Sequence, residues 1–295
     1  MASHKPLSEQ SMVITGASSG IGLATALLAA AQGARLLLIA RSGETLKSLT
    51  ARIAADRGEV LHVVADVADR QKMEMAAQEA ADRLGGIDTW VNNAGVSIYG
   101  RLDEVSEADS RRLFDTNFWG LVNGSLAALP HLKRNGGALI NVGSEVSEAV
   151  VPFLGMYAAS KHAVKGFTDA LRVEIEELDE SPVSITLVQP SAVNTPFPHH
   201  AKNYMNREPK LPPPLIEPEQ VAEAILKAAT TGGRDIKVGA MAVINTTVSK
   251  LMPSLGDKMS AKRGMSQIGD MPPLHPEGTL FTPSETGSPY GKAPS

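Results

Sequence analysis

The sequence predicts an α/β fold, a doubly wound parallel sheet of about seven strands with helices on both faces. Three observations carry that expectation. Several short runs are apolar throughout instead of alternating, which marks strands buried on both faces. These runs alternate with stretches of helical spacing from residue 11 to about residue 240, as right-handed crossovers between parallel strands require. The overall balance, 43% hydrophobic and 20% charged over 295 residues, is that of a globular protein able to bury a substantial core.

The elements follow in order. Met12-Val13-Ile14 is a buried strand that ends in Thr15-Gly16, and Ile21 to Ala31 is an Ala- and Leu-rich helix closed near Gly33. Leu36 to Ala40 is the second strand, Val60 to Ala65 the third, and Asp69 to Leu84 a helix. Ile87 to Val91 is a strand, and Glu107 to Leu132 is a long helix that Pro130 should trim. Ala138 to Val142, a helix from Tyr157 to Leu178 and a strand from Val183 to Val188 come next. A helix opened by proline, Pro218 to Thr230, and a short strand, Asp235 to Val238, complete the alternation. Residues 8–240 are therefore expected to form a single domain, and residues 241–295 a C-terminal extension that is partly irregular or disordered. Val243 to Met259 has the character of a short helix. Residues 271–295 hold six prolines and three glycines, the composition of an extended or disordered arm.

Composition also excludes. The absence of cysteine removes disulfides, thiolate catalysis and cysteine-ligated zinc. A formal net charge of −4 opposes a nucleic-acid binder, which would carry a basic excess. The N-terminal residues lack the apolar stretch of a signal peptide, and no run approaches the roughly 18 apolar residues of a membrane span. A cytoplasmic protein without a transmembrane segment is expected.

The turn between the first strand and the first helix reads Thr15-Gly16-Ala17-Ser18-Ser19-Gly20-Ile21-Gly22. Glycines let the backbone turn sharply and approach a pyrophosphate, while the helix N-terminus offers free N–H groups and a partial positive charge. A Rossmann-type dinucleotide site is expected, although glycine is common in any strand-to-helix loop. The second strand closes as Ile39-Ala40-Arg41-Ser42, without the carboxylate that binds the ribose hydroxyls of NAD. Arg41, supplemented by Ser42, would instead pair with a 2′-phosphate, favouring NADP(H) over NAD(H); the alternative is a solvated surface arginine. The spacing of Tyr157 and Lys161 puts phenol and ammonium on one helical face. A neighbouring cation and an oxidised nicotinamide would both favour the phenolate and suit the tyrosine to acid–base work. The same spacing also occurs as an exposed helical pair.

Taken together, these motifs resemble those of the short-chain dehydrogenase/reductase family, of the single-domain, NADP-preferring type. The match extends from Thr15 to Thr195. Besides the glycine loop it includes Asp66-Val67 after the third strand, where the family binds adenine, and Asn92-Asn93-Ala94-Gly95, which shapes the cofactor floor. Asn117 matches the asparagine that holds a relay water, and Ser144, thirteen positions before Tyr157, matches the serine that hydrogen-bonds the substrate oxygen. The resemblance implies that Lys161 also binds the nicotinamide ribose, and that Pro190, Val193 and Thr195 flank the carboxamide. It implies hydride transfer between nicotinamide and a carbonyl or secondary alcohol, with Tyr157 as acid and base, and a homodimer or homotetramer built through the long helices. The alternatives are an NADP(H)-binding sensor with little catalysis, or a redox-neutral epimerase or dehydratase on the same fold. Three features depart from the family pattern. Ser191 stands where a glycine is common, Ser19 where many NADP-dependent members carry a basic residue, and the residues past the last strand exceed the family core.

Some residues invite other readings. His199-His200 suggests a metal pair, but no acidic cluster accompanies it and a solvated loop is expected; no metal site is predicted. Trp90 and Trp119 read as core. Glu145 and Glu148 read as exposed loop carboxylates. The stretch containing Lys250, Lys258, Lys262 and Arg263 reads as a face for a neighbouring subunit, with a membrane-surface helix as the alternative. Phe197, Tyr204, Met205 and Leu211 in the proline-rich segment 191–218 point to an apolar substrate of moderate size.

Overall fold

The computed structural model describes residues 4–56 and 58–291. In chain order it contains β1 (Ser11–Thr15), α1 (Gly20–Ala31), β2 (Arg35–Ala40), α2 (Gly43–Ala55), β3 (Val60–Val64), α3 (Arg70–Leu84) and β4 (Thr89–Asn92). The two-residue β5 (Ile98–Tyr99), α4 (Glu107–Phe114), α5 (Gly120–Asn135), β6 (Gly137–Val142) and α6 (Gly155–Arg172) follow. The remainder is β7 (Val183–Pro190), α7 (Phe197–His200), β8 (Lys202–Asn203), α8 (Pro218–Thr231), β9 (Asp235–Val238), α9 (Ala240–Leu251) and α10 (Pro253–Ser266).

Seven strands form one sheet in the order β3-β2-β1-β4-β6-β7-β9, and every pair within it is parallel. Parallel pairing forces each connection to cross a face, and alternate residues of one strand feed two separate cores. Met12, Ile14, Leu36 and Leu38 pack with α1, α2 and α8 on one side. Val13, Leu37 and Ile39 pack with α3, α5 and α6 on the other. The strand order reverses between β1 and β4, and a crevice at their carboxyl ends is the expected ligand position in such sheets.

Several elements differ from expectation. The helix α2 was not foreseen; it buries only Leu46, Leu49 and Ile53 among thirteen residues. β3 is not buried on both faces, because it is the edge strand, and Val64 is 51% exposed. The helix predicted from Glu107 runs through Pro130 to Asn135 instead of ending there. Proline removes one bond to the residue four positions earlier, and that residue, Leu126, lies on the exposed side, 42% accessible. Between α4 and α5 the chain widens into a π turn at Asp115–Trp119, and α6 continues through a second one at Val173–Leu178. Trp90 is fully buried, whereas Trp119 is 54% exposed, a correction to its reading as core: the π turn directs it outward.

A buried polar network joins the central strands to the helices behind them. Trp90 Nε1 donates to Asn92 Oδ1, and Asn92 Nδ2 donates to Ser125 and to Asn141 Oδ1. Asn141 Nδ2 in turn donates to Thr168, whose hydroxyl donates to the Val164 carbonyl. Satisfied networks of this kind fix relative positions, here those of β4, β6, α5 and α6. Among the described residues no helix is long and apolar enough to cross a membrane.

Candidate active site

The glycine loop sits where the sheet order reverses. Thr15 Oγ1 accepts the N–H groups of Asn93 and Ala94, and Asn93 Nδ2 donates to the carbonyls of Thr15 and Gly16. Gly16 adopts φ +67°, a left-handed conformation open to glycine at little cost. A side chain at Gly22 would collide with the Gly16 carbonyl and the Asn93 amide, so the loop can fold this tightly only with glycine there. The resulting concave turn leads into the N-terminus of α1, as a pyrophosphate cradle requires.

One continuous cleft follows the carboxyl edge of the sheet. It is lined by Gly16, Ser18, Ser19, Gly20 and Ile21 from the loop, Arg41 and Ser42 after β2, and Asp66 and Val67 after β3. Asn93, Ala94 and Gly95 form its floor, and Ser144, Tyr157, Lys161, Pro190, Val193 and Thr195 its far end. Gly22 and Asn117 lie behind this lining. The structure therefore gathers the sequence-predicted residues around one space, with those two in support.

At the far end, β6 delivers Ser144 and the first turns of α6 deliver Tyr157 and Lys161. Lys161 is 4% exposed, and its ammonium donates to the Val142 carbonyl at 2.8 Å. It lies 5.7 Å from the centre of the Tyr157 ring. Burial pulls the Lys161 ammonium down to about 8. Burial also pushes the Tyr157 phenol well above its usual range; the Ser144 hydroxyl opposes that rise and the Glu145 carboxylate adds to it. Asn117 sits in the π turn, 1% exposed. Its Oδ1 accepts the Val96 N–H at 2.8 Å, and its Nδ2 donates to the Val96 carbonyl and to Ser160. π turns inside helices recur at functional sites because they re-aim one side chain.

The opposite end carries a charged cluster. Asp66 accepts from the Ala68 N–H and pairs with Arg112. Burial alone would raise the Asp66 carboxyl, but the Ala68 N–H, Arg112 and Arg41 together hold it below its ordinary value. Arg112 had no part in the sequence reading; its only signal was a position on α4 facing the third strand's end.

The substrate end contains further residues that sequence reasoning missed. Glu145 is buried, not an exposed loop carboxylate, because Arg263 of α10 and Asn245 of α9 both donate to it. Glu148 likewise binds Lys237 and Gln189. Arg263 thus turns toward Glu145 and lines the cleft of its own chain. Gln267, Phe197, Leu154, Val151 and Leu211 line the same end. Phe197 meets the Tyr157 ring edge-on at 5.2 Å. Of the two histidines, His199 is exposed as expected and bonds Glu208, whereas His200 is half-buried and bonds Thr286. Among the described residues there is no group of three potential metal ligands. Ser191, in the position of the common glycine, sits with its hydroxyl against Gly239 and donates its N–H to the Val238 carbonyl, so the contact between β7 and β9 extends to it.

Comparison with known proteins gives this geometry a context. A family model described as short chain dehydrogenase matches residues 10–205. An uncharacterized oxidoreductase of Bacillus subtilis (strain 168), YxnA, is 42% identical over 261 residues, covering 88% of this chain and 73% of its own. Among solved structures, an alcohol dehydrogenase from the archaeon Thermococcus sibiricus complexed with 5-hydroxy-NADP is similar at 28% identity and TM-score 0.67, over 78% of this chain and 94% of that one. A short chain dehydrogenase from Mycobacterium paratuberculosis bound to NAD is similar at 25% identity and TM-score 0.70, over 79% and 97%. The chain belongs to the short-chain dehydrogenase family of oxidoreductases.

Proposed function

We propose that this protein is an NADP(H)-dependent oxidoreductase that interconverts a carbonyl and a secondary alcohol, with Tyr157 as proton donor and acceptor. The observation that carries the reading is the convergence of Ser144, Tyr157 and Lys161 at one end of a cleft whose other end holds the glycine loop and Arg41. The residues fit a nicotinamide dinucleotide: the cradle formed by Gly16 and Gly22 admits a pyrophosphate, and no carboxylate closes β2 to claim the ribose hydroxyls. Solved relatives carry NAD in one case and an NADP derivative in another, so the preference for NADP(H) rests on Arg41 and Ser42 of this chain.

When bound, the nicotinamide supplies or accepts the hydride. Every other task falls to side chains. Ser144 and Tyr157 donate hydrogen bonds to the substrate oxygen and fix the reacting carbon. In the reductive direction the Tyr157 phenol gives its proton to that oxygen. Its high proton affinity in the buried site keeps it protonated until then, and the Lys161 ammonium stabilises the phenolate left behind. Asn117, anchored on both sides by Val96, holds a water that returns the proton. The apolar wall of Leu154, Val151, Phe197 and Leu211 suits a substrate of largely apolar character. Exposed Trp119, Leu126, Val173 and Leu178 on the two long helices support association into a homodimer or homotetramer.

The test is turnover of a carbonyl panel followed by loss of NADPH absorbance. Oxidation of one NADPH per alcohol formed is expected, and product without net consumption would favour a redox-neutral reaction. Tyr157→Phe should lower kcat by about 10³-fold or more with NADPH affinity nearly unchanged. An equal loss of binding would make the tyrosine structural.

A further inference from the structure

Among its described residues the C-terminal arm forms no helix or strand beyond α10, yet these residues are tied to the rim of the cleft. Its path starts at the substrate side, where Pro276 accepts the Asn203 N–H and the Thr279 N–H donates to the His200 carbonyl, both at 2.7 Å. Leu280 is fully buried against Val96, Ile98 and Leu113. Ser42 Oγ donates to the Ser284 carbonyl at 2.7 Å, and the Glu285 carboxylate accepts the N–H and hydroxyl of Thr45. Further on, the Gly20 N–H donates to the Ser288 carbonyl, and the Tyr290 hydroxyl binds Glu219. Thr279, Pro283 and Ser284 line the cleft itself.

The decisive contact is at Arg41. Its Nη1 donates to the carbonyls of Leu280 and Phe281, both at 3.2 Å, and its Nη2 donates to the carbonyl of Thr279. A guanidinium has five N–H donors, and these three acceptors take most of its outer edge. A phosphate needs that same edge for a bidentate bond, and its oxygens would face the lone pairs of the three carbonyls. Arg41 can serve the arm or a 2′-phosphate, but not both in full.

We propose that the C-terminal arm is a determinant of cofactor choice: the carbonyls of Thr279, Leu280 and Phe281 compete with the 2′-phosphate of NADP(H) for Arg41. Docking of the arm narrows the preference for NADPH over NADH, and its release widens that preference. This inference rests on the reading of the cleft as a nicotinamide dinucleotide site with Arg41 at the 2′-phosphate. The arm is the partner that gives way: outside buried Leu280 its ties are individual hydrogen bonds, whereas Arg41 directly follows β2.

The experiment uses the full chain. NADPH and NADH are titrated calorimetrically into the wild type and into Glu285→Ala, which removes the tie to Thr45 without touching the cleft. Tyr290→Phe, which unties the arm from Glu219, provides an independent second variant. Amide exchange of residues 279–291 is followed in the wild type alone and saturated with each dinucleotide. Both variants should bind NADPH more tightly, by about fivefold for the loss of one such tie, and NADH should gain less. The Ser288 carbonyl on the Gly20 N–H faces the pyrophosphate that both dinucleotides share, whereas Arg41 meets only the 2′-phosphate. Saturating NADPH should speed exchange of the Thr279 amide, and NADH should not. If NADPH saturates the protein while the arm stays as protected as with NADH, and both variants shift the two affinities equally, the competition is overturned and the cofactor reading stands. If neither dinucleotide binds any of the three proteins, the cofactor reading falls and the competition falls with it.

Discussion

At the Tyr157 end of the cleft, the functional groups are buried and tied to the core; at the Arg41 end, they are more accessible and tied to the arm. Lys161 reaches the Val142 carbonyl of a central strand, and Asn117 is clamped between Val96 and Ser160. Arg41 reaches the carbonyls of residues 279–281, which belong to the chain's last irregular segment. The first arrangement cannot change without moving β6 or α6. The second can exchange partners one hydrogen bond at a time. A hydride transfer needs its reacting atoms held within narrow limits, whereas recognition of a cofactor's remote phosphate tolerates an exchange of equivalent contacts. On the function proposed above, the contrast follows the demands of the chemistry at each end.

The largest expected effect on stability tests the claim of a rigid substrate end. Arg263→Ala leaves the Glu145 carboxylate, only 6% exposed, without its cation, and should cost about 3 kcal/mol in denaturant unfolding. The double variant Glu145→Gln/Arg263→Leu should recover much of that loss. A single-variant cost near zero would mean that the pair is solvated in solution and the end less closed than described.

A smaller effect comes from Lys161. Its folded value near 8 lies below the ordinary 10.5, so at pH 7 the buried charge destabilises the fold in full. As pH rises through 8, the folded state releases this proton before the unfolded state does, and stability must rise with pH. From pH 7 to 9.5, unfolding of the cofactor-free protein should become about 2 kcal/mol harder relative to Lys161→Met, whose profile lacks this step. The window stays below pH 10, where the raised Tyr157 phenol acts in the opposite sense: the unfolded tyrosine then releases its proton first, and stability falls. Identical profiles would place Lys161 in water, contrary to its place in the contrast.

The smallest effect belongs to the exchangeable end. Arg41→Ala should weaken NADPH by about tenfold, or ~1.4 kcal/mol, and leave NADH nearly unchanged. Loss of affinity for both dinucleotides alike would remove the phosphate from Arg41 and sharpen its role as an anchor for the arm alone.

Much of the fold could be read in the chain because parallel strands buried on two faces leave unbroken apolar runs. Asp235–Val238 was legible to the residue, and the helix expected from Asp69 to Leu84 begins one position later, at Arg70, with Asp69 as its cap. α2 was not, since it rests on one core through Leu46, Leu49 and Ile53 and is otherwise polar. The glycine loop, Ser144, Tyr157 and Lys161 stand out because their spacing is dictated by a turn or a helical face. Glu145, Arg112 and Arg263 do not, because each acquires its meaning from a partner at least 46 positions away. Lys258 and Lys262 also made Arg263 look like one more residue of a basic face for a neighbouring subunit. The path of residues 276–291 was hidden for a related reason: most of its ties to the core are made by backbone atoms, and carbonyl groups leave no trace in a pattern of side chains.

The π turn at Asp115–Trp119 has a consequence for length. A helix holds 3.6 residues per turn, so one residue more or less rotates everything on one side of it by about 100°. The widened turn absorbs a surplus residue without that rotation reaching either end. Deleting a single position there would restore a regular helix, a change the backbone itself would accept readily. The same deletion would swing Asn117 off Val96 or carry Leu113 off the core. The helix is thus kept one residue out of phase, and a shorter chain could be as sturdy while losing its alignment with the Tyr157 end.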